Sequence, residues 1–584
     1  MHVVATAGHV DHGKSALVRA LTGSDPDRLE EEHRRGLSIQ LGYAWTLLPE
    51  VGDLAFVDVP GHERFISTML AGVGPVPAVL FVVAADDRWM PQAAEHLAAL
   101  DALRVEHAVV AVTRSDLADP KPAAARAGAE LSQTSLGGSP IVPVSSRTGS
   151  GLDQLRARLV ELVESLPAAD PRADVRLWID RRFTISGAGT VVTGTLPAGT
   201  VARGDTLSTG MGAVRVRGIE SLEEKVDSMS GLARVALNVT GEVADLDTTR
   251  TLTTPGAFHW TEVLDVRVTS GEVERLPTLP MLHVGADSVT ARCRPLDGEL
   301  VRLTLERPLP LRFGDRTLLR DPGSRQVWGA RVLDPMPPPL RRRGAAVDRA
   351  KALEEVTEEP DLVSEVARRE VVDVDTLRRI GIPEPSAATG SVVRAGHWLM
   401  STDRAERTAN QLLQMVTEHD RSRPLDRGLP VAVLADRLDL PSPELVTAVL
   451  REPLHLYGGR VLASDDDALP AELEQAVAGL ADDLAANPFG APTADRLREL
   501  GLDVTRTAAA ARAGRLLRLA PGIVLLPGAD VRAVEQLSAL PQPFTASEAR
   551  SRLGTSRRVV LPLLEHLDRA GLTRRLPGDR RLVV

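Results

Sequence analysis

Cysteine is almost missing: one residue, Cys293, in a chain of 584. A single thiol excludes an intrachain disulfide framework and any zinc site built on several cysteines, which fits a reducing cytosol. Also missing is any run of the roughly 18 apolar residues that a membrane helix requires. The opening MHVVATAGHV lacks the charged start and sustained apolar stretch of a secretory leader. No long biased tract interrupts the chain, and 43% hydrophobic with 25% charged residues is the balance of a globular protein. A soluble, cytoplasmic, monomeric protein without membrane contact is expected, long enough to divide into several domains.

The net charge of −10 argues against a chain that is basic throughout. Its distribution is uneven: residues 541–584 hold nine arginines against four acidic side chains. A basic end on an acidic body is what local nucleic-acid contact requires, although a solvated arginine face gives the same count.

Over residues 1–170, buried strands such as AVLFVVAA and HAVVAVT alternate with amphipathic helices such as GLDQLRARLVELVESL. That alternation predicts a parallel sheet covered on both faces. Residues 171–256 and 257–337 change to short β-rich runs broken by Gly, Asp and Thr, the pattern of two small antiparallel barrels. Within them GAGTVVTG lacks dinucleotide-binding spacing and reads as a hairpin. A proline-stiffened linker, 338–345, follows. Beyond it a helix–turn motif with a trailing β-like run recurs over 346–402, 403–466, 467–528 and 529–584. These read as four winged helices, with a plain helical scaffold as the alternative.

Gly8 to Ser15, GHVDHGKS, fits G-x-x-x-x-G-K-[ST], with a strand before it and a helix after it. In such a loop the backbone N–H groups of Asp11, His12, Gly13, Lys14, Ser15 and Ala16 turn to phosphate, at the positive end of a helix. Lys14 would reach the β- and γ-phosphates, and the Ser15 hydroxyl would ligate Mg²⁺. FVDVPGH ends a strand with Asp58, placed to hold the metal through water, and the N–H of Gly61 can sense a γ-phosphate. VAVTRSD puts Asp116 at a strand end, where a carboxylate accepts from guanine N1–H and N2–H₂. Adenine has no such pair of donors, so GTP is expected. VPVSS ends the next strand where the N–H groups of Ser145 and Ser146 could meet the guanine carbonyl.

Together AGHVDHGKS, RRGLSI, DVPGH and TRSD resemble a translational GTPase of the elongation factor Tu class. With IDRRFTISGAGTVVTGT they resemble more narrowly the bacterial selenocysteine-specific elongation factors. The resemblance implies a multidomain fold: an α/β P-loop GTPase domain, two antiparallel β-barrels and a C-terminal array of four winged helices. It implies a GTP hydrolase that uses Mg²⁺ and carries selenocysteyl-tRNA to the ribosome at UGA codons marked by an mRNA hairpin. Two other readings stay open: a paralogue without selenium specificity, and a GTP-controlled nucleic-acid-binding regulator.

By the same resemblance, Ser38 takes the place of the switch threonine that ligates the metal, and His62 orients the attacking water. The alternation from Leu37 through Leu41 is expected to be the start of the strand into which the switch feeds. Thr113 and Arg114 stand at the first two places of the guanine motif, where N-K is the broad pattern. Arg181 and Arg234 match the basic positions of a selenocysteine pocket, and Gln40 stands where aspartate is common. Arg552, Arg557, Arg558 and Arg574 are the candidates for the mRNA hairpin.

Overall fold

The computed structural model describes residues 1–27, 38–62, 65–185, 189–383, 391–463 and 469–584. The chain separates into two compact units, residues 1–389 and 390–584.

The first unit begins with a six-stranded sheet in the order β2-β3-β1-β4-β5-β6. Its strands are β1 (His2–Gly8), β2 (Gly42–Leu48), β3 (Gly52–Asp58), β4 (Ala78–Ala84), β5 (His107–Thr113) and β6 (Ile141–Pro143). All pairings are parallel except that of β2 with β3. Side chains alternate faces along a strand, so each buried strand serves two cores. Val3, Val57, Phe81 and Val110 join one cluster, whereas Val4, Phe56, Leu80 and Val109 join the other. Every residue of β4 is buried, as its unbroken apolar run predicts.

Among the described residues β2 begins at Gly42, so Ser38, Ile39, Gln40 and Leu41 do not open the strand as their alternation predicts. Leu37 and the preceding RRG lie outside the described residues. From Ser38 onward, tertiary partners compete with a sheet ladder. The Ser38 hydroxyl donates to Asp27 (2.8 Å), and the Leu41 carbonyl accepts from Arg181 (2.9 Å).

Two closed six-stranded barrels follow. In the first, Thr206–Ser208 pairs with both Thr251–Thr253 and Ala213–Ser221, which closes the ring. GAGTVVTG belongs to a hairpin, because Arg176–Ile185 pairs antiparallel with Gly189–Leu196. The turn itself, 186–188, lies outside the described residues. Trp260–Ser270 begins the second barrel, whose core includes Leu264, Val266, Val301 and Leu303. Helices Ala345–Glu354 and Leu362–Arg369 follow, and the first of these starts at the end of the expected linker.

The second unit carries helix–turn–helix elements, Val431–Arg437 with Pro443–Ala448 and Ala494–Glu499 with Val504–Arg512. Each is followed by a short antiparallel hairpin. At the end of the chain, Ala546–Arg552 and Arg557–Arg569 precede the wing Thr573–Leu576 with Arg580–Val583. The last two of these modules share one apolar core that runs from Leu473 to Leu567.

Candidate nucleotide and aminoacyl site

The loop between β1 and helix α1 (Lys14–Thr22) turns on Gly13, whose φ of 82° is left-handed and open to glycine at little cost. Lys14 is buried and folds back over this loop, donating to the carbonyls of Gly8 (3.1 Å) and His9 (2.9 Å). Burial lowers its pKa to about 8, against the attraction of Asp58, Asp27 and Asp11. A phosphate would supply the counter-charge that burial removes. Ala16 lies exposed in the first helical turn, where backbone N–H groups have no helical acceptor.

Three expected metal-side residues meet here. Ser15 Oγ donates to Asp58 Oδ2 (2.7 Å), Ser38 Oγ donates to Asp27 Oδ1 (2.8 Å), and the two hydroxyl oxygens lie 3.1 Å apart. Either hydroxyl can donate in that 3.1 Å contact, which holds the two oxygens side by side next to the Asp58 and Asp27 carboxylates. The separation is close to the roughly 2.9 Å edge of an octahedron with Mg–O bonds of 2.0–2.1 Å. The residues present therefore fit Mg²⁺. Asp58 is fully buried, which pushes its carboxyl up, while Lys14 and hydrogen bonds from Thr6 and Ser15 oppose the rise. The Thr6 hydroxyl orients its other oxygen at 2.6 Å.

Gly61 packs onto the same loop: a Cβ there would lie 2.4 Å from Lys14 Nζ and 2.5 Å from Val10 N. Only glycine brings this backbone so near the phosphate side. His62 follows directly, half-buried, with its ring 6.0 Å from that of Phe65.

On the base side, Thr113 is buried and its hydroxyl faces the carbonyls of His12 (2.7 Å) and Val83 (3.1 Å), tying β5 to the phosphate loop. Arg114 pairs with Asp86 and donates to the Asp11 carbonyl, so its guanidinium braces the same loop. Asp116 accepts from the Ser145 hydroxyl (2.6 Å) and from Arg147 (3.0 Å). Those contacts, the serine first, hold its carboxyl below the usual range, in the ionised form that a guanine edge needs. The Ser145 N–H, expected to face the base, is instead donated to the Ser150 carbonyl (2.9 Å). Ser145 thus meets Asp116 through its hydroxyl, while its N–H is engaged within its own turn.

Gln40, Arg181 and Arg234 line one cavity of about 290 Å³, between β2 and the first barrel. A slip of register explains how neighbouring residues serve it. Ile179 pairs with Gly194 but Arg181 pairs with Thr193, so Asp180 is the extra residue of a bulge. Asp180 forms an ion pair with Arg234, and Arg181 enters the cavity beside it. Arg234 also lies 3.9 Å over the Tyr43 ring.

Five contributors had no separate sequence signal: Thr6, Asp27, Tyr43, Asp180 and His96. His96 is buried on the helix Pro91–Ala102 and accepts the Gly8 N–H at 3.1 Å. Burial lowers its pKa to about 3, so it stays a neutral acceptor.

In the last winged helix, Arg557 opens the helix Arg557–Arg569 and is exposed, as is Arg574 on the wing. Arg552 is exposed and donates to the Gln536 carbonyl (3.2 Å). Arg558 is exposed as well, and its guanidinium donates to the Pro492 carbonyl (2.6 Å) of the preceding module.

The phosphate loop, the hydroxyl–carboxylate cluster and the base-side aspartate, followed by two barrels, define a GTP-hydrolysing translation factor. Residues 1–165 match the elongation factor Tu GTP binding domain family. Residues 278–339 match the selenocysteine-specific elongation factor beta-barrel domain, and residues 535–582 match the elongation factor SelB winged helix. The selenocysteine-specific elongation factor of Escherichia coli (strain K12) is 31% identical over 99% of this chain and 98% of its own. That of Desulfomicrobium baculatum is 30% identical over 100% and 99%. A crystal structure of a bacterial selenocysteine-specific elongation factor, EF-Sec, superposes over the whole of both chains with TM-score 0.77 at 25% identity. The chain belongs to the family of selenocysteine-specific elongation factors.

Proposed function

We propose that this GTPase carries selenocysteyl-tRNA to the ribosome at UGA codons marked by an mRNA hairpin, with GTP and Mg²⁺ bound at the cluster described above. The observation that carries this reading is the cavity shared by Gln40, Arg181 and Arg234, which the chain places directly after Ser38. A selenol is largely ionised at neutral pH, whereas a cysteine thiol, with a pKa near 8.5, is mostly protonated. Asp180 pairs with Arg234, and Glu220 and Glu223 also line the cavity, so a selenolate would be favoured only by direct approach to the Arg181 guanidinium and not by a net positive charge.

Ser15, Ser38 and Asp58 would hold Mg²⁺, which when bound offsets charge on the β- and γ-phosphates. Lys14 turns from its own loop carbonyls to the phosphates, and Asp116 accepts from the guanine edge. His62, set beside Gly61, positions the attacking water once the ribosome orders this segment. Because Ser38 is two residues before Gln40 and the Leu41 carbonyl holds Arg181, loss of the γ-phosphate is transmitted to the aminoacyl cavity. Arg552, Arg557 and Arg574 hold the hairpin mainly through its phosphates, while Arg558 supports the packing beneath them.

The test is a binding comparison with GTP present. Selenocysteyl-tRNA should bind more tightly than its seryl precursor, and Arg181→Met should narrow the difference. Equal affinities for the two tRNAs in the unaltered protein would sink the proposal.

A further inference from the structure

The phosphate loop carries two histidines that lie close to Asp87, in the turn after β4. His12 is 1% exposed, and neither ring nitrogen makes a hydrogen bond of normal geometry, although the Val82 backbone lies near enough to act on the ring. A buried imidazole left this way forfeits the stabilisation of at least one polar contact. The Asp87 carboxylate lies 3.6 Å from His12 Nε2, too far for a hydrogen bond. His9 is likewise buried, its ring centroid 4.8 Å from that of His12 and tilted by 51°. Ligand atoms of His9, His12 and Asp87 all fall within 4.8 Å of one another.

We propose that His9, His12 and Asp87 form a binding site for a borderline transition-metal ion of the Zn²⁺ or Co²⁺ type, separate from the Mg²⁺ cluster. Two imidazoles and one carboxylate are the donor set of a tetrahedral ion with one position left for water, and they discriminate against Mg²⁺ and Ca²⁺. Bonds of about 2.0–2.2 Å set ligand atoms roughly 3.4 Å apart in a tetrahedron, so small side-chain rotations close the site. Asp87 is already oriented, because its Oδ1 accepts the Arg88 N–H (2.8 Å) and leaves Oδ2 toward His12. His9 joins only by releasing the long 3.3 Å bond that its Nδ1 accepts from the Asp11 N–H. The positive charge nearby is partly balanced, since Arg114 pairs with Asp86. A cavity of about 390 Å³, lined by His12, Asp87, Trp89 and Arg126, gives the ion a route in. A metal here would pin the phosphate loop to the turn after β4.

The experiment is a Co²⁺ titration of the full-length, nucleotide-free protein, followed by visible absorption. One equivalent should give the strong d–d bands of tetrahedral Co²⁺, displaced by Zn²⁺ but not by excess Mg²⁺. Asp87→Asn, in an exposed turn, should weaken Co²⁺ binding at least tenfold while GDP binding is kept. Asp87→Glu should retain the bands. The proposal fails if no such bands appear, if Asp87→Asn binds Co²⁺ unchanged, or if the bands vanish in Ser15→Ala, which would move the metal to the phosphate side.

Discussion

At the scale of single residues, Asp116 shows how far a motif can be read and where geometry takes over. TRSD places a carboxylate at the end of β5, but the orientation of its oxygens is set by Ser145 and Arg147, which are about thirty positions away. Its two acceptor bonds to guanine would each contribute about 1.5–3 kcal/mol as charge-assisted contacts. Asp116→Asn replaces one acceptor with a donor, which clashes with the guanine donors and suits xanthine. GTP affinity should fall by about 100-fold and xanthosine triphosphate should gain, as read by competition against labelled GDP. A variant that lost both nucleotides equally would mean that Asp116 supports the loop and does not read the base. Ser38 and Asp27 teach the complementary lesson. Ser38 was singled out through the resemblance of RRGLSI to translational GTPases, whereas Asp27 became visible only when folding brought its carboxylate to that hydroxyl.

At the scale of elements, sequence periodicity was sufficient wherever burial alone sets structure. Strand β4 is apolar throughout and buried throughout, and alternate residues of β1 and β3 divide between two cores as pleating demands. Periodicity failed at Ser38–Leu41 because side chains from Asp27 and the first barrel capture groups there, and no local pattern encodes them. The bulge at Asp180 was hidden for the same reason: one extra residue in a strand leaves no compositional mark. A further hidden element joins the second barrel to the helices after it. Asp334 accepts from Arg349 (2.5 Å) and Arg369 (2.7 Å), and Arg349 continues to Asp265 (2.6 Å), all of them buried or nearly so. Burial alone would raise the Asp334 carboxyl, but Arg369 and Arg349 outweigh it and hold it below the usual range. A carboxylate depressed in the native state stabilises fully above its unfolded pKa, and that contribution is lost as pH falls through the lower native value. Asp334→Asn should therefore cost about 3–5 kcal/mol at neutral pH, because two arginines lose a buried partner. Its stability should also change less than that of the parent protein between pH 4 and 2. Urea unfolding at several pH values measures both effects. Parallel pH curves for the two proteins would show that Asp334 is not the titrating group.

At the scale of the whole molecule, the acidic chain with a basic end is the feature that composition alone could not resolve. Folding gives the terminal arginines different partners. Arg581 is buried against Asp568, and Arg575 pairs with Asp579 across the wing turn. Arg558 braces the preceding module, with which the last winged helix shares a core. Arg557 and Arg574 remain exposed on the helix start and the wing, the two places from which such a module reaches nucleic acid. The division predicts two kinds of mutant. Arg557→Ala and Arg574→Ala should weaken binding of an RNA hairpin with little change in stability. Each should also lower the slope of log affinity against log salt by about one, the mark of one lost phosphate contact. Arg558→Ala should leave that slope nearly unchanged and lower the unfolding temperature, because two carbonyls of the neighbouring module lose their donor. A hairpin titration at four salt concentrations, paired with a melting curve for each variant, separates these roles. Equal salt slopes for all three variants would mean that the terminal arginines act as one diffuse field with no division between contact and support.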